Sequence, residues 1–535
     1  MREGKGEGGG GWGGVRSGGV GSGGARAPLS ATLPAMLPAV IPAVFPVPAL
    51  RVPVDFAGPG AGIAELTWGQ REIWEAMVRQ GWLCIGGTLP LAADTTVEDV
   101  ADELSYMMSR FQSMRTRLRF DGDNGPLQEL LPSGRTILEV YDSGDESGDE
   151  RDTGGPGEFA GPEETAAAVE AHYRTMVRDF EGEWPVRMAV VRHHGKPTHM
   201  VVLSCHLIAD GFGVQLLTQD VESRTTAEPT GMQQLELARW QCSPAGQRVN
   251  EISLRHWEKV LRSLSPPSLP GSEDPRQPRH WTGELRSSAL KLAVPLIADR
   301  TGADSSSVFL ALYAIALGRT GIYNPAVIRP VANNRFRPGL ATIVSNLAQA
   351  GICALDVTGV TVDEAVGRAR RGAMTAHKYA YFDPRALTAL IERIAQDAGP
   401  GHERWTCYDW TFFNDRRFEL GSVPEGGGPV TPDRLSAARA RTSFHWTEKK
   451  ENPFEPLFLH VEGRDESVQV VVRADTHRIS PARCEAVVRE MEAAAVEAAF
   501  DPEAPTRVPA LSDPSKLPEQ KTGSGSGHIA AAVRV

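Results

Sequence analysis

Val201-Val202-Leu203-Ser204-Cys205-His206-Leu207-Ile208-Ala209-Asp210-Gly211-Phe212-Gly213 decides how the chain is read. An apolar run rich in β-branched residues predicts a buried strand. It ends on His206, turns at Asp210-Gly211 and leads into a helix beginning near Val214 to Thr218. A histidine at the end of a buried strand is held rigidly by the neighbouring strands. The step from His206 to Asp210 lets the acid fold back under the loop without touching the reactive face. Asp-Gly favours a tight turn, because glycine tolerates φ > 0. Adjacent side chains on a strand point to opposite faces, so if His206 faces a cleft, Cys205 faces the packing behind it. On these residues alone, a single histidine beside an Asp-Gly turn is more often structural than catalytic.

Upstream, a hairpin turn at His194-Gly195-Lys196 delivers the chain into this strand, and Phe180 to Val191 leads into the hairpin. Glu164 to Arg178 reads as a helix. Residues 141–165, with Asp142, Asp145, Glu146, Asp149, Glu150 and Asp152, read as an acidic loop. Thr95-Thr96-Val97-Glu98 opens a helix whose Val97, Val100, Leu104, Met107, Met108 and Phe111 recur at helical spacing. Leu66 to Trp74 carries a capping-box pattern, Thr67 with Gln70. Arg51 to Phe56 is a short strand. Residues 1–50 are Gly-rich and then Pro-punctuated, and read as a disordered extension. The prolines interrupt any signal-peptide core.

Downstream, Glu251 to Leu264 reads as a helix closing a first lobe, 51–264. A Pro/Gly-rich linker, 265–283, separates it from a second lobe, 284–500, and 501–535 reads as a disordered tail. In the second lobe, Leu290 to Arg300 and Ser306 to Arg319 are helices, the latter apolar all round and therefore buried. Strands are expected at Ala326 to Arg335, Trp405 to Asn414 and Phe458 to Val472, and a last helix from Ile479 to about Phe500.

The net charge of −11 argues against nucleic acid, whose phosphates need a basic face. No apolar run is long enough to span a bilayer. Cys84, Cys205, Cys242, Cys353, Cys407 and Cys484 are scattered with no CxxC, as expected of free thiols in a reducing, cytoplasmic compartment rather than a disulfide framework or a zinc site. No HExxH spacing occurs, and no metal site is expected.

Cys205-His206-Leu207-Ile208-Ala209-Asp210-Gly211 resembles the HHxxxDG signature of the condensation domains of nonribosomal peptide synthetases, shared with the wider chloramphenicol-acetyltransferase-like acyltransferases. The second His, the Asp and the Gly match, and Cys205 replaces the first His. Thr67, Gln70 and Trp74 resemble the first motif of the family. Arg110 to Phe120 resembles its RHExLRTxF motif, with Arg110 and Arg115 at the arginine positions. Phe180 to Val191 resembles FDLxxGPLLR, Ala326 to Arg335 a strand ending in an arginine, and Val344-Ser345-Asn346-Leu347 matches a Phe-Val-Asn-Thr-Leu segment at Asn and Leu. The matches run in the family's order over roughly residues 51–500.

The resemblance implies an α/β fold of two chloramphenicol-acetyltransferase-like lobes in a V-shaped pseudo-dimer with a central tunnel. It implies acyl transfer from a thioester to an amine or hydroxyl, in nonribosomal peptide or other natural-product biosynthesis such as that of antibiotics. The catalytic set is then His206, Asp210 and Gly211, with Cys205, Arg115, Arg335 and Asn346 near the site. A buried Asp210 needs a cationic partner, either Arg115 or Arg335. No cofactor is expected to be bound; the acyl group comes on the phosphopantetheine of a carrier protein, in trans, or on coenzyme A. With no adenylation or carrier motif in the sequence, a freestanding enzyme is expected. An ester-forming acyltransferase and a catalytically silent module that docks carrier proteins are the alternatives.

Overall fold

The computed structural model describes residues 45–509, apart from 122–124, 145–160, 177, 265–268, 270, 324, 398–405, 407, 418–427, 452–454 and 465. The N-terminal half runs β1 (Leu50–Ala57), β2 (Gly62–Glu65), α1 (Trp68–Gln80), β3 (Cys84–Pro90), α2 (Val97–Arg110), β4 (Thr116–Arg119), β5 (Leu127–Leu130), β6 (Ser133–Asp142), α3 (Pro162–Thr175), β7 (Val186–His193), β8 (Lys196–Cys205), α4 (Gly211–Ser223), α5 (Gln234–Cys242) and α6 (Pro244–Leu261). The C-terminal half runs β9 (His280–Ser287), α7 (Ser288–Thr301), α8 (Ser305–Arg319), β10 (Ala326–Ala332), β11 (Gln349–Ala350), β12 (Cys353–Leu355), α9 (Val362–Lys378), α10 (Pro384–Asp397), β13 (Thr411–Asp415), α11 (Pro432–Arg439), β14 (Ser443–Lys450), β15 (Leu457–Gly463), β16 (Val468–Asp475) and α12 (Pro481–Ala498).

The first half is built on a five-stranded sheet in the order β1-β6-β7-β8-β3, with β6 and β7 parallel and the other pairs antiparallel. Both faces of this sheet are covered, which is why its strands read as continuous apolar runs. Met188, Val190 and Met200 pack with Val100, Leu104 and Met108 of α2 and Leu217 of α4. Their neighbours Ala189, Val191, Val201 and Leu203 pack with Ala166, Val169 and Tyr173 of α3. The capping boxes at Thr67/Gln70 and Thr96/Asp99 both form and start α1 and α2.

The second half is built on an eight-stranded sheet, ordered β11-β10-β13-β15-β16-β9-β14, with β12 also pairing with β10. One face lies on α7, α8 and α12. In α8 every side chain from Val308 to Leu317 is buried, as its all-round apolar pattern requires. Truncating Phe309 there would cost about 3–5 kcal/mol.

Several expected boundaries shift. Asp142 ends β6 and Pro162 starts α3, so ordered structure enters both ends of the segment expected as an acidic loop; 145–160 lie outside the described residues. Strand β9 starts at His280, inside the expected linker, because His280 to Gly283 pair with β16. Residues 501–508 are packed rather than trailing: the Thr506 hydroxyl donates to Val357 O (2.7 Å) and Val508 lies against Gly318. Residues 510–535 of the expected tail lie outside the described residues. At the other end Ala49 N already donates to Val140 O (2.8 Å), so order precedes residue 51, and residues 1–44 are outside the described set. Among the described residues no helix is long and apolar enough to cross a membrane.

Candidate active site

Strand β8 stops at Cys205, one residue earlier than the sequence suggests, and His206 begins the turn. It is still fixed by the sheet. Its backbone N–H donates to Leu83 O (2.9 Å), continuing the β3 ladder, and its carbonyl accepts from Asn346 Nδ2 (3.0 Å) of the C-terminal half. The half-buried imidazole places Nδ1 at 3.0 Å from Ala209 O. A carbonyl only accepts, so Nδ1 carries the proton and Nε2 keeps its lone pair. Burial depresses the pKa of His206 below the ordinary imidazole value, against the Asp210 carboxylate and with help from the Arg416 guanidinium. The ring is therefore neutral at pH 7, with Nε2 as its basic atom.

Asp210 serves the scaffold around that ring. It is the N-cap of α4, accepting from Gly213 N at 2.7 Å through Oδ1. Its Oδ2 accepts from Leu347 N (2.9 Å) and from Arg335 Nη1 (2.8 Å), both in the C-terminal half. Both partners of this ion pair are buried, with 6% and 4% of their side chains exposed. Arg335 completes its fork on Ile343 O (3.2 Å) and Ser345 O (2.9 Å). Of the two candidate partners Arg335 is thus the one that pairs with Asp210. Arg115, fully buried, instead spends its guanidinium on the carbonyls of Gly58, Pro59 and Leu131 and does not belong to the site.

The expected φ > 0 turn at Asp-Gly does not form: Gly211 is the first residue of α4 and is not among the residues of positive φ. The glycine whose missing side chain matters more is Gly213. A Cβ there would come within 3.1 Å of Ser345 O and 3.2 Å of Arg335 Nη2. Cys205 packs with Leu66, Met77, Leu118 and Leu207, 1% exposed, and burial raises its thiol to about 11. It faces Cys84 across the β3–β8 pair. Asn346 is buried and ties the two halves at His206.

Sequence reasoning missed how much of the inter-half seam runs through α1. Glu72 pairs with the buried Arg329 (3.1 Å) and accepts from Gln349 (3.2 Å). Glu75 accepts from the Tyr408 hydroxyl (3.1 Å), and burial, with Glu72 beside it, pushes its carboxyl up to about 7. Their signal is the presence of charges on the same helical face as Trp68, but it cannot be told from a solvated face without the partner strands.

Residues 88–345 match the family model "Condensation domain". A nonribosomal peptide synthetase, kk1B of Curvularia clavata, is 23% identical over 309 residues, 53% of this chain; the match spans only 2% of that relative's length. Among solved structures, the condensation domain of the Monacolin K polyketide synthase MokA superposes with a TM-score of 0.61 at 14% identity, covering 84% of this chain and 100% of that one. The X-domain from teicoplanin biosynthesis gives a TM-score of 0.61 at 16% identity over 85% and 99% of the two chains.

Proposed function

We propose, from the match of residues 88–345 to the condensation-domain family model and the likeness of fold to such domains over most of the chain, that the protein transfers an acyl or aminoacyl group from a thioester to an amine, forming an amide. The observation that carries the reading is the state of His206: a neutral ring, pinned through Nδ1–H to Ala209 O, with Nε2 left as a base. As the acceptor nitrogen attacks the thioester carbonyl, Nε2 takes the proton that nitrogen sheds. The tetrahedral intermediate collapses by breaking the C–S bond, and the departing sulfur takes the proton back. An α-ammonium has a pKa of roughly 8, so a base of this kind is well matched to the acceptor. The thioester supplies the activation, so the step needs neither nucleotide nor metal.

Asp210 and Arg335 act in this reading as positioning residues. They clamp the start of α4 to the 333–347 segment, and Asn346 fixes the His206 backbone from the same segment. Gly211 heads α4 without a side chain, leaving room for an acceptor or its arm beside the backbone. The acyl group would arrive on the phosphopantetheine of a carrier protein or on coenzyme A. The test is incubation with thioester donors and paired amine and alcohol acceptors, with the product identified by mass. Amide formation that needs the protein supports the reading. Ester formation alone would move it to the alcohol branch of the same chemistry.

One observation favours a second reading. The first histidine of the signature is here Cys205, a buried thiol with no access to substrate. A silent module that only docks partners would tolerate that change, and failure to turn over any donor–acceptor pair while still binding a loaded carrier protein would establish it.

A further inference from the structure

The eight-stranded sheet has two unlike faces. Leu457, Leu459 and Val461 of β15 and Val470 and Val472 of β16 enter the apolar cluster under α7, α8 and α12. Their alternates point the other way: register sets Phe458 opposite Arg473, His460 opposite Val471 and Glu462 opposite Gln469. On the next strand Asn414 lies beside His460. The N-terminal half closes over this second face. Gln80, the last residue of α1, donates to Glu455 (3.3 Å). Arg416, just past β13, donates its backbone N–H to Val461 O (2.8 Å), and its charge acts on both His460 and His206.

His460 is only 4% exposed, yet among the described residues neither of its ring nitrogens has a hydrogen-bond partner, and the Nε of Arg416 has none either. Buried polar atoms are nearly always satisfied, by protein, water or ligand. The ring is not loosely held: Phe458 stacks on it with centroids 4.2 Å apart. Two ring nitrogens on β15 and the guanidinium Nε–H of Arg416 just past β13, all three unsatisfied, describe a site for a group the described residues do not supply.

The chemistry of that group follows from the donors. Burial, with the charges of Arg416 and Arg473 added, keeps the imidazole neutral, so it offers one donor and one acceptor. The Arg416 Nε–H is a charged donor. Around them the cations Arg416, Lys450, Arg464 and Arg473 meet the carboxylates of Glu448, Glu455 and Glu462, four cations to three carboxylates among the described residues. An ammonium would be repelled, and an apolar group would leave the three atoms unsatisfied.

We propose that His460 and Arg416 form a subsite that binds a carboxylate carried by one of the two substrates of the reaction. The inference rests on the acyl-transfer reading above and narrows its substrate class to pairs in which donor or acceptor is an acid. It separates this chain from one whose two substrates are both neutral beyond the reacting groups.

The full chain is assayed with matched pairs that differ only in charge. The donor arm compares succinyl with succinamyl thioesters. The acceptor arm compares glycine and β-alanine with their primary amides. In one arm the carboxylate member should be preferred in kcat/KM by about tenfold or more, the scale of a hydrogen bond to a charged group. That arm names the substrate carrying the acid. His460→Ala should collapse the preference ratio toward one. If His460→Ala does not fold, His460→Phe, which fills the volume without a polar atom, is read the same way. No preference in either arm, or a preference that survives the substitution, overturns the subsite. If no pair is turned over, the acyl-transfer reading has failed by itself, and binding decides the subsite: the ring resonances of His460 are followed during titration with succinate, glycine and their amides. A saturable shift for the carboxylates alone supports it; no difference up to about 10 mM, beyond millimolar affinity, overturns it.

Discussion

Replacing Asp210 by alanine removes three bonds at once: the N-cap of α4 to Gly213 N, the bond from Leu347 N, and the ion pair with Arg335. Loss of one partner of a buried pair costs about 3–5 kcal/mol, because the other charge is left buried and unmatched. Loss of a cap costs about 0.5–2 kcal/mol. The same carboxylate serves both, so the larger figure sets the scale. For a cooperative unit of about 150–250 residues this lowers Tm by on the order of 10 °C. Asp210→Asn separates the contributions, since the amide oxygen can still accept from Gly213 N while the charge is gone. The assay is thermal unfolding of both variants, of Arg335→Ala and of the double variant. Because Asp210 and Arg335 share one interaction, the double variant should be less destabilised than the sum of the singles by roughly 1–3 kcal/mol. Strict additivity, or an Asp210→Ala protein that melts like wild type yet transfers nothing, would refute a positioning role and give Asp210 a direct one.

Glu75 makes a prediction of opposite pH sense to a salt-bridged acid. Its folded pKa of about 7 lies above the unfolded value of 4.5, so the fold binds the extra proton and loses stability as pH rises from 4.5 through 7. Glu75→Gln, neutral throughout, should match wild type below that window and be more stable above it, as read by melting at pH 4 and pH 8. The depressed pKa of His206 predicts that transfer to a weakly basic acceptor stays level down to the ordinary imidazole range near 6.5 and falls only below it; a fall centred at or above pH 7 would contradict this. Cys205→Ser should keep most of its activity, any loss tracking a lower melting temperature, since the thiol lies in packing behind His206.

The site was legible where it is local. Strand, histidine, acid and helix follow one another within a dozen residues, and the burial of Cys205 follows from the apolar run that it closes. What was not legible closes over long separations. Arg335 meets Asp210 across 125 positions, and motif order alone could not prefer it over Arg115, whose role is set by three backbone carbonyls. The Asp-Gly pair suggested a left-handed turn, but capping by Asp210 lets the helix begin at Gly211. Polar residues such as Glu72, Arg329 and His460 cannot be told from a solvated face until the residues that cover them are in place. The expected linker overlapped β9 because prolines and glycines up to Gly283 masked four residues of strand pairing.

The central claim, direct transfer with His206 as the base, is tested most directly by intact-mass analysis of rapidly quenched single turnovers, comparing wild type with His206→Ala. With thioester donor alone the wild-type mass should not change. On adding acceptor, product should form in one step, with the rate falling about 100- to 10,000-fold in His206→Ala at unchanged melting temperature. An acyl adduct on Cys205 that forms without acceptor and is discharged by it, or a His206→Ala protein as fast as wild type, would contradict it.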